Sequence, residues 1–481
     1  MKNLLIILSI NLSLLAFSQK NSLPPAPVYP VPTDAQLAWH DMELNAFVHF
    51  TTNTFTDLEW GMGNEAESVF NPTEVNTKQW VGVLKKAGFK GIILTCKHHD
   101  GFCLWPTKYT EHSIKNSPYK NGKGDIVREL SDQCKVQGVK FGVYLSPWDR
   151  NRADYGQSSY IDYYRNQLKE LFTNYGPIFE MWFDGANGGT GYYGGANEKR
   201  SVDKQTYYEW PKTLDLVRSI QPNVIFFSDA GPGVRWCGNE EGRVSKTNWN
   251  TIDSDTLFAG KAGVEELLGT GSENGTHWVP AESDVSIRPG WFYHAKEDNL
   301  VKTPEQLFAI YLNTVGRGSL MLLNVPPDRR GLFHENDVKA LEGFRALLDK
   351  EFKFDYARLA KVKASSVRGN SPLYSASNLI DGKPGNYWAT NDGEKSASIE
   401  LTWKKNIPIN YIVLQEYIKL GQRVKAFNVE AFENGQWKKM AEETTIGHKR
   451  ILKIEPIKAR KIRINITASK ACPVISSLAV Y

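Results

Sequence analysis

The residues that first suggest chemistry stand at the ends of apolar runs. Ile178-Phe-Glu-Met-Trp-Phe-Asp184-Gly185 ends in a carboxylate, and a buried barrel strand that delivers an acid at its C-terminal tip is a common way to build a catalytic centre. Leu44-Asn-Ala-Phe-Val-His49-Phe50 carries an imidazole, and Gly91-Ile-Ile-Leu-Thr-Cys-Lys97 runs straight into His98-His99-Asp100-Gly101. Phe141-Gly-Val-Tyr144-Leu-Ser146 ends beside Pro147-Trp148. A His-His-Asp cluster offers three common metal ligands. Neutral imidazoles, each with one donor and one acceptor, equally suit hydrogen bonding to hydroxyl groups. Adjacent histidines point to opposite sides of a strand yet can converge in a loop, so spacing leaves both chemistries open. For Asp184 the plain structural alternative is a cap on the following turn. Polar groups at four such ends predict one pocket assembled from loops on a single face.

Those ends need a scaffold that places them together. Between Pro24 and Phe354, apolar runs alternate with amphipathic stretches, the pattern of a βα-repeat architecture. Helices are predicted at Thr77 to Gly88, Asp125 to Gln137, Tyr160 to Tyr175, Lys204 to Ile220, Pro304 to Val315 and Asn336 to Glu351. Further strands are predicted at Asn223 to Ser228 and Gly318 to Asn324. The class is α/β, and the length fits a (β/α)8-like barrel. A doubly wound open sheet is the alternative, but no Gly-rich phosphate loop follows the first strand.

From residue 355 to 481 the texture changes to short alternating runs split by Gly, Asn and Pro: Ser398 to Trp403, Tyr411 to Glu416, Phe427 to Phe432 and Lys461 to Ile466. Many short strands without a long helix predict a separate all-β sandwich.

Composition narrows the class further. The chain has 481 residues, 41% hydrophobic and 23% charged, with a net charge of +5 and no basic stripe, which argues against a nucleic-acid partner. Its 14 Trp and 21 Tyr suit binding of apolar sugar faces. Met1-Lys2-Asn3, an apolar core from Leu4 to Phe17 and Ser18-Gln19 read as a secretory signal peptide over residues 1–18. The alternative is a permanent anchor, but the core is about fourteen residues and a spanning helix needs about twenty. The expectation is an exported protein, periplasmic, cell-surface or secreted, with no membrane span after cleavage. Cys96, Cys103, Cys134, Cys237 and Cys472 lack framework spacing and are expected to be mostly free and buried, with a Cys96–Cys103 pair as the one conceivable bridge.

Several motifs in the first region, taken in order, resemble glycoside hydrolase family 29, the α-L-fucosidases. They are Phe47-Val-His49-Phe50, Glu59-Trp60-Gly61, Lys97-His98-His99-Asp100-Gly101-Phe102, Phe141-Gly-Val-Tyr144, Trp182-Phe-Asp184-Gly185 and Leu322-Leu-Asn324-Val-Pro-Pro327. Phe227-Ser-Asp-Ala-Gly231-Pro-Gly-Val-Arg235-Trp236, followed by Gly238-Asn239-Glu240, resembles the subgroup selective for α-1,3- and α-1,4-linked fucose. The resemblance implies a retaining hydrolase with Asp184 as nucleophile and Glu240 as acid/base, with Glu241, Glu282 and Asp229 as rivals for the second role. It implies that His49, His98, His99 and Glu59 hold fucose hydroxyls, that Trp60 forms a wall, that Tyr144 contacts Asp184, and that Arg235 or Trp291 lines the pocket. The substrate would be a fucosylated oligosaccharide or glycoconjugate, with no cofactor for catalysis. Other readings are a metal-dependent hydrolase using His98, His99 and Asp184, and a catalytically silent glycan-binding protein. In the second region Ala376-Ser-Asn-Leu-Ile-Asp381-Gly382, Tyr387-Trp388 and Lys461-Ile-Arg463 resemble discoidin-type modules. That likeness implies a jelly-roll, with a structural calcium near the Asp381-Gly382 loop.

Overall fold

The computed structural model describes residues 23–481; the stretch read as a signal peptide lies outside them. Eight parallel strands close into a barrel in sequence order. They are β1 (Leu44–Val48), β2 (Gly91–Lys97), β3 (Lys140–Leu145), β4 (Glu180–Trp182), β5 (Ile225–Ser228), β6 (Val234–Trp236), β7 (Ala281–Ser286) and β8 (Leu320–Asn324). β1, β2, β7 and β8 are buried along their whole length, as parallel strands covered on both faces must be.

Local chemistry sets the helix bounds. Asn76 and Asp125 cap Thr77–Ala87 and Ile126–Gln137 by accepting from Gln79 N and Arg128 N, and Gly88 and Gly138 close the same helices in the left-handed conformation. Thr303 forms a capping box ahead of Pro304–Asn313. Ser158–Asn174, Trp210–Ile220 and Glu335–Glu351 complete the long helices in the outer layer.

The predicted runs appear as barrel strands, but β6 and β7 are absent from the sequence prediction. β6 has three residues, and its parallel neighbour β5 reaches it through residues 229–233 with no intervening helix. β7 reads Ala-Glu-Ser-Asp-Val-Ser, with no run of apolar residues, yet every one of these residues is buried. Inside the barrel, Glu282 of β7 accepts from Trp182 Nε1 at 2.8 Å, and Glu180 of β4 accepts from Trp39 Nε1 at 3.1 Å. Both carboxyls are fully buried, and burial pushes both toward the protonated form.

The C-terminal region is an antiparallel β domain with its own core, including Trp388, Ile399, Leu401, Phe427, Ile462 and Ile464. Two of the short strands predicted there, 398–403 and 411–416, are one bent strand, Ala397–Glu416. It pairs with Arg450–Ser469 through register shifts between Thr402 and Ile407 and between Ile409 and Tyr411. In the Asp381-Gly382 loop, Asp381 accepts from Lys383 N at 2.8 Å and Asn386 Nδ2 at 2.7 Å.

This domain docks near the N-terminal ends of the barrel strands. Ile451 N donates to Gly316 O at 2.9 Å, just before β8, and Lys449 pairs with Glu43, just before β1. The Gln422 amide accepts from Asn250 N at 2.8 Å and Asn250 Nδ2 at 3.0 Å and donates to Asn248 O at 2.9 Å. Phe352 packs on Tyr411 and Tyr481. All five cysteines are free and buried. No helix among the described residues is long and apolar enough to cross a membrane.

Candidate active site

The opposite, C-terminal end of the barrel gathers the polar residues. His49 follows β1, His98 and His99 follow β2, Tyr144 lies on β3, and Asp184 follows β4. Glu240 follows β6, Trp291 follows β7, and Asn324 ends β8. Glu59 and Trp60 come from the long connection after β1. Loops at this end carry the chemistry of barrel folds because the packed interior cannot.

Hydrogen bonding assigns the protons of two histidines. Asn324 Nδ2 donates to Ser286 Oγ at 2.9 Å and Trp291 O at 2.8 Å, so its Oδ1 is the acceptor that faces His49 Nδ1 at 2.8 Å. His49 therefore carries its proton on Nδ1, and Nε2 is a bare acceptor. The same logic applies at His99. Ser146 Oγ donates to Trp148 O at 2.7 Å and accepts from His99 Nδ1 at 2.7 Å, which leaves His99 Nε2 bare, 3.9 Å from Asp184 Oδ2. Burial pushes His49 and His99 down to about 3 and His98 well below its ordinary value. All three are neutral near pH 7, and the buried His98 Nδ1 has no hydrogen-bond partner. Among the described residues no group of three or more His, Cys, Asp and Glu converges as a metal-ligand set.

Asp184 is held by two donors, Ala186 N at 2.6 Å and the Tyr144 hydroxyl at 3.0 Å. Burial raises its pKa, and these two hydrogen bonds work against that rise by favouring the carboxylate. Gly185 is required beside it: a Cβ there would lie 2.1 Å from Asp229 Oδ2. Glu240 receives a single donor, Trp291 Nε1 at 3.2 Å. Partial burial raises its pKa, and the charges of Asp184 and Glu59 raise it further. The two carboxyls thus lie within electrostatic reach of each other, one supported as an anion and the other biased toward holding a proton.

The rivals for the second carboxyl sit differently. Glu241 is exposed and paired with Arg243 at 2.6 Å. Glu282 is sealed inside the barrel, and Asp229 accepts from Gly260 N at 2.7 Å. Trp60 is 53% exposed, with its ring set edgewise to His99 at 5.3 Å and Trp148 at 5.6 Å. The Trp291 ring lies 5.3 Å from His49.

Arg235 is the sequence expectation the structure overturns. Its guanidinium donates to Leu268 O at 2.8 Å, Val279 O, Asn248 Oδ1 at 3.2 Å and Trp249 O at 3.0 Å, and it is fully buried. Val234 and Trp236 face the barrel interior, so alternation along β6 turns Arg235 outward, away from the pocket. Trp236 takes the inward place and donates to Asp284 Oδ1 at 2.9 Å. Asp284, whose pKa burial and the Glu240 charge raise, was missed because its strand shows no apolar pattern. Asn324 and Ser146, which orient the two histidines, were legible only as polar residues at strand ends.

Comparison with known proteins meets this geometry from outside. Residues 27–351 match the family described as Alpha-L-fucosidase, and residues 361–478 match the F5/8 type C domain. Alpha-L-fucosidase 1 of Arabidopsis thaliana is 40% identical over 478 residues, covering 98% of this chain and 92% of the relative. A glycoside hydrolase 29 family member from an unknown rumen bacterium superposes with a TM-score of 0.85 at 44% identity, over 95% of this chain and 78% of the other. A Ruminococcus gnavus GH29 fucosidase in complex with fucose superposes with a TM-score of 0.86 at 34% identity, over 96% of each chain. With a family model spanning the barrel and relatives alike over nearly the whole chain, the chain belongs to the α-L-fucosidase family, glycoside hydrolase family 29.

Proposed function

We propose that this chain is a retaining exo-α-L-fucosidase that removes α-1,3- and α-1,4-linked fucose from branched glycans. The observation that carries the mechanism is the pairing of Asp184, supplied with two donors, and Glu240, biased toward its acid form by partial burial and then by the charges of Asp184 and Glu59. Asp184 attacks the anomeric carbon as the bond to the glycosidic oxygen breaks, and Glu240 gives that oxygen its proton. A fucosyl ester on Asp184 results. Glu240, now a carboxylate, takes a proton from water, whose oxygen displaces Asp184 and releases fucose with its original configuration.

The remaining residues bind and orient. His49 Nε2 and His99 Nε2 accept hydrogens from sugar hydroxyls, and His98 and Glu59 serve the others. Trp60 and Trp291 offer apolar surface to the methyl group of this 6-deoxy sugar. The linkage preference is supported by the sequence from Phe227 to Glu240. Residues 24–354 form the catalytic unit in this reading, residues 355–481 an accessory one, and the N-terminal 18 residues direct export.

Proton NMR of a reaction in progress tests the stereochemistry: the α-anomer of fucose should form first, and first-formed β-anomer would refute retention. A panel of α-1,2, α-1,3, α-1,4 and α-1,6 fucosides tests linkage, with release from the α-1,3 and α-1,4 members expected. N-terminal sequencing of the protein from its native cells should begin after Ser18.

A further inference from the structure

One side chain outside the residues assigned so far ties two walls of the pocket together. His294 is buried on the connection after β7, and each ring nitrogen meets a carboxylate from the connection after β1. Nδ1 lies 2.6 Å from Asp57 Oδ1, and Nε2 lies 2.6 Å from Glu59 Oε1. A neutral imidazole has one N–H and would turn a lone pair toward one of these oxygens; only the imidazolium donates to both. The two carboxylates outweigh burial and hold its pKa above the ordinary value. Other charged groups nearby are Lys296 and Arg329, which act on Asp57, Glu240, which feels Glu59, and Glu297, which accepts from Gly290 N.

Glu59 passes this restraint onward. Its Oε2 accepts from Trp291 N at 2.8 Å, and its Oε1 also accepts from Phe292 N at 3.3 Å. Trp291 in turn donates Nε1 to Glu240. The contact is built into the backbone as well. A Cβ at Gly290 would lie 2.5 Å from Glu59 Oε1 and 2.9 Å from His294 Cδ2, so only glycine lets the two connections close on each other. On the far side, Arg150 donates to Trp60 O at 3.2 Å and Gly61 O at 2.5 Å, fixing the other end of the segment that carries Trp60.

We propose that His294, as an imidazolium clamped between Asp57 and Glu59, is a positioning residue. It orients Trp291 on Glu240, seats the Glu59–Trp60 wall, and balances the charge of Glu59 against that of Glu240; this rests on the reading of Glu240 as the acid/base given above. Loss of the cation leaves the Glu59 charge uncompensated, which favours the protonated form of Glu240. The alkaline limb of kcat/KM on a fucosylated oligosaccharide then moves upward in pH.

The test uses the full chain and the variants His294→Gln and His294→Ala, each checked for a cooperative melt. Both should shift the alkaline limb up by about half a pH unit, the size expected for one charge acting near solvent. His294→Ala should raise KM by about 10-fold, while His294→Gln, which keeps a neutral donor toward Glu59, should recover most of it. Folded variants whose limb coincides with that of the wild type would overturn the proposal. As a second measurement that needs no variant, the His294 ring is titrated by NMR in the wild-type protein. A midpoint above 6.5, the ordinary value, supports the clamp, and one at or below it overturns the clamp. If the wild type cleaves no fucoside, or if Glu240→Ala leaves glycan turnover intact, the functional reading fails instead.

Discussion

The two ends of the barrel bury polar groups to opposite purposes. At the N-terminal end, where the β domain docks, the Gln422 amide uses its oxygen and its nitrogen on Asn248 and Asn250, and Arg235 finds three carbonyls and a side-chain amide. At the C-terminal end His49 and His99 each use one ring nitrogen on the protein and leave the other bare, and His98 Nδ1 has no partner. A buried polar group without a partner costs about 1–3 kcal/mol, a cost the mouth bears at His98 Nδ1. The mouth holds acceptors ready for a ligand; the docking face pairs most of its donors and acceptors, with Asn250 Oδ1 and Arg423 Nε left over, and fixes two domains in one arrangement. Polar burial alone therefore does not mark a site. Nor do uncommitted polar atoms by themselves, since Asn45 and Asn250 Oδ1 lack partners too; at the mouth the bare His99 nitrogen stands 3.9 Å from Asp184.

Substitutions at each end should separate these purposes. The largest effect is expected at the mouth. Asp184→Asn should lower kcat by at least about 10³-fold, ~4 kcal/mol, with little change in melting temperature. An appreciable residual rate in a folded variant would break the comparison. At the other end, Gln422→Ala should cost about 2–4 kcal/mol of stability by stranding Asn248 and Asn250, read as a lower denaturation midpoint, while kcat on an aryl fucoside stays within about two-fold. A fall in kcat with unchanged stability would mean that the docking face reaches the chemistry.

Tyr144→Phe sits between these extremes. It removes one of the two donors to Asp184, and kcat should drop about 10- to 100-fold. Because the lost hydrogen bond favoured the carboxylate, the pKa of Asp184 rises and the acidic limb of the pH–rate profile moves up. An unmoved acidic limb would detach Tyr144 from the ionisation of Asp184.

The smallest effect is expected midway, in the barrel interior. Glu180 and Glu282 both hold protons more tightly folded than unfolded. Their contribution to stability is complete below the ordinary carboxylate pKa and is lost as pH rises toward the folded values. Glu180→Gln should therefore shrink the fall in melting temperature between about pH 5 and pH 7. A fall as steep as in the wild type would place the pH dependence elsewhere.

How much of this was legible in the chain depends on how local the cause is. The strand Gly91–Lys97 and the helix ends at Asn76, Gly88, Asp125 and Gly138 follow from apolar runs, capping side chains and glycines that act within a few residues. Asp184, His49 and the His98–His99 pair were legible for the same reason, as polar groups at the ends of such runs. β7 was not, because Glu282, Asp284 and Ser286 occupy the positions where apolar residues announce a strand, and they can do so only when other strands supply Trp182, Trp236 and Asn324 as partners. Nor was the facing of Arg235, since three residues are too few to show an alternation, and a step of one residue moves a side chain from the pocket to the outer wall. The sequence by itself determined six of the eight barrel strands, the long helices, and which of those strand ends carried reactive groups. Only the tertiary structure decided which lone pairs stay bare, which carboxyl keeps its proton, and that His294 meets Asp57 and Glu59. Protonation and hydrogen-bond satisfaction depend on burial and on partners far apart in the chain, and neither exists until the barrel closes.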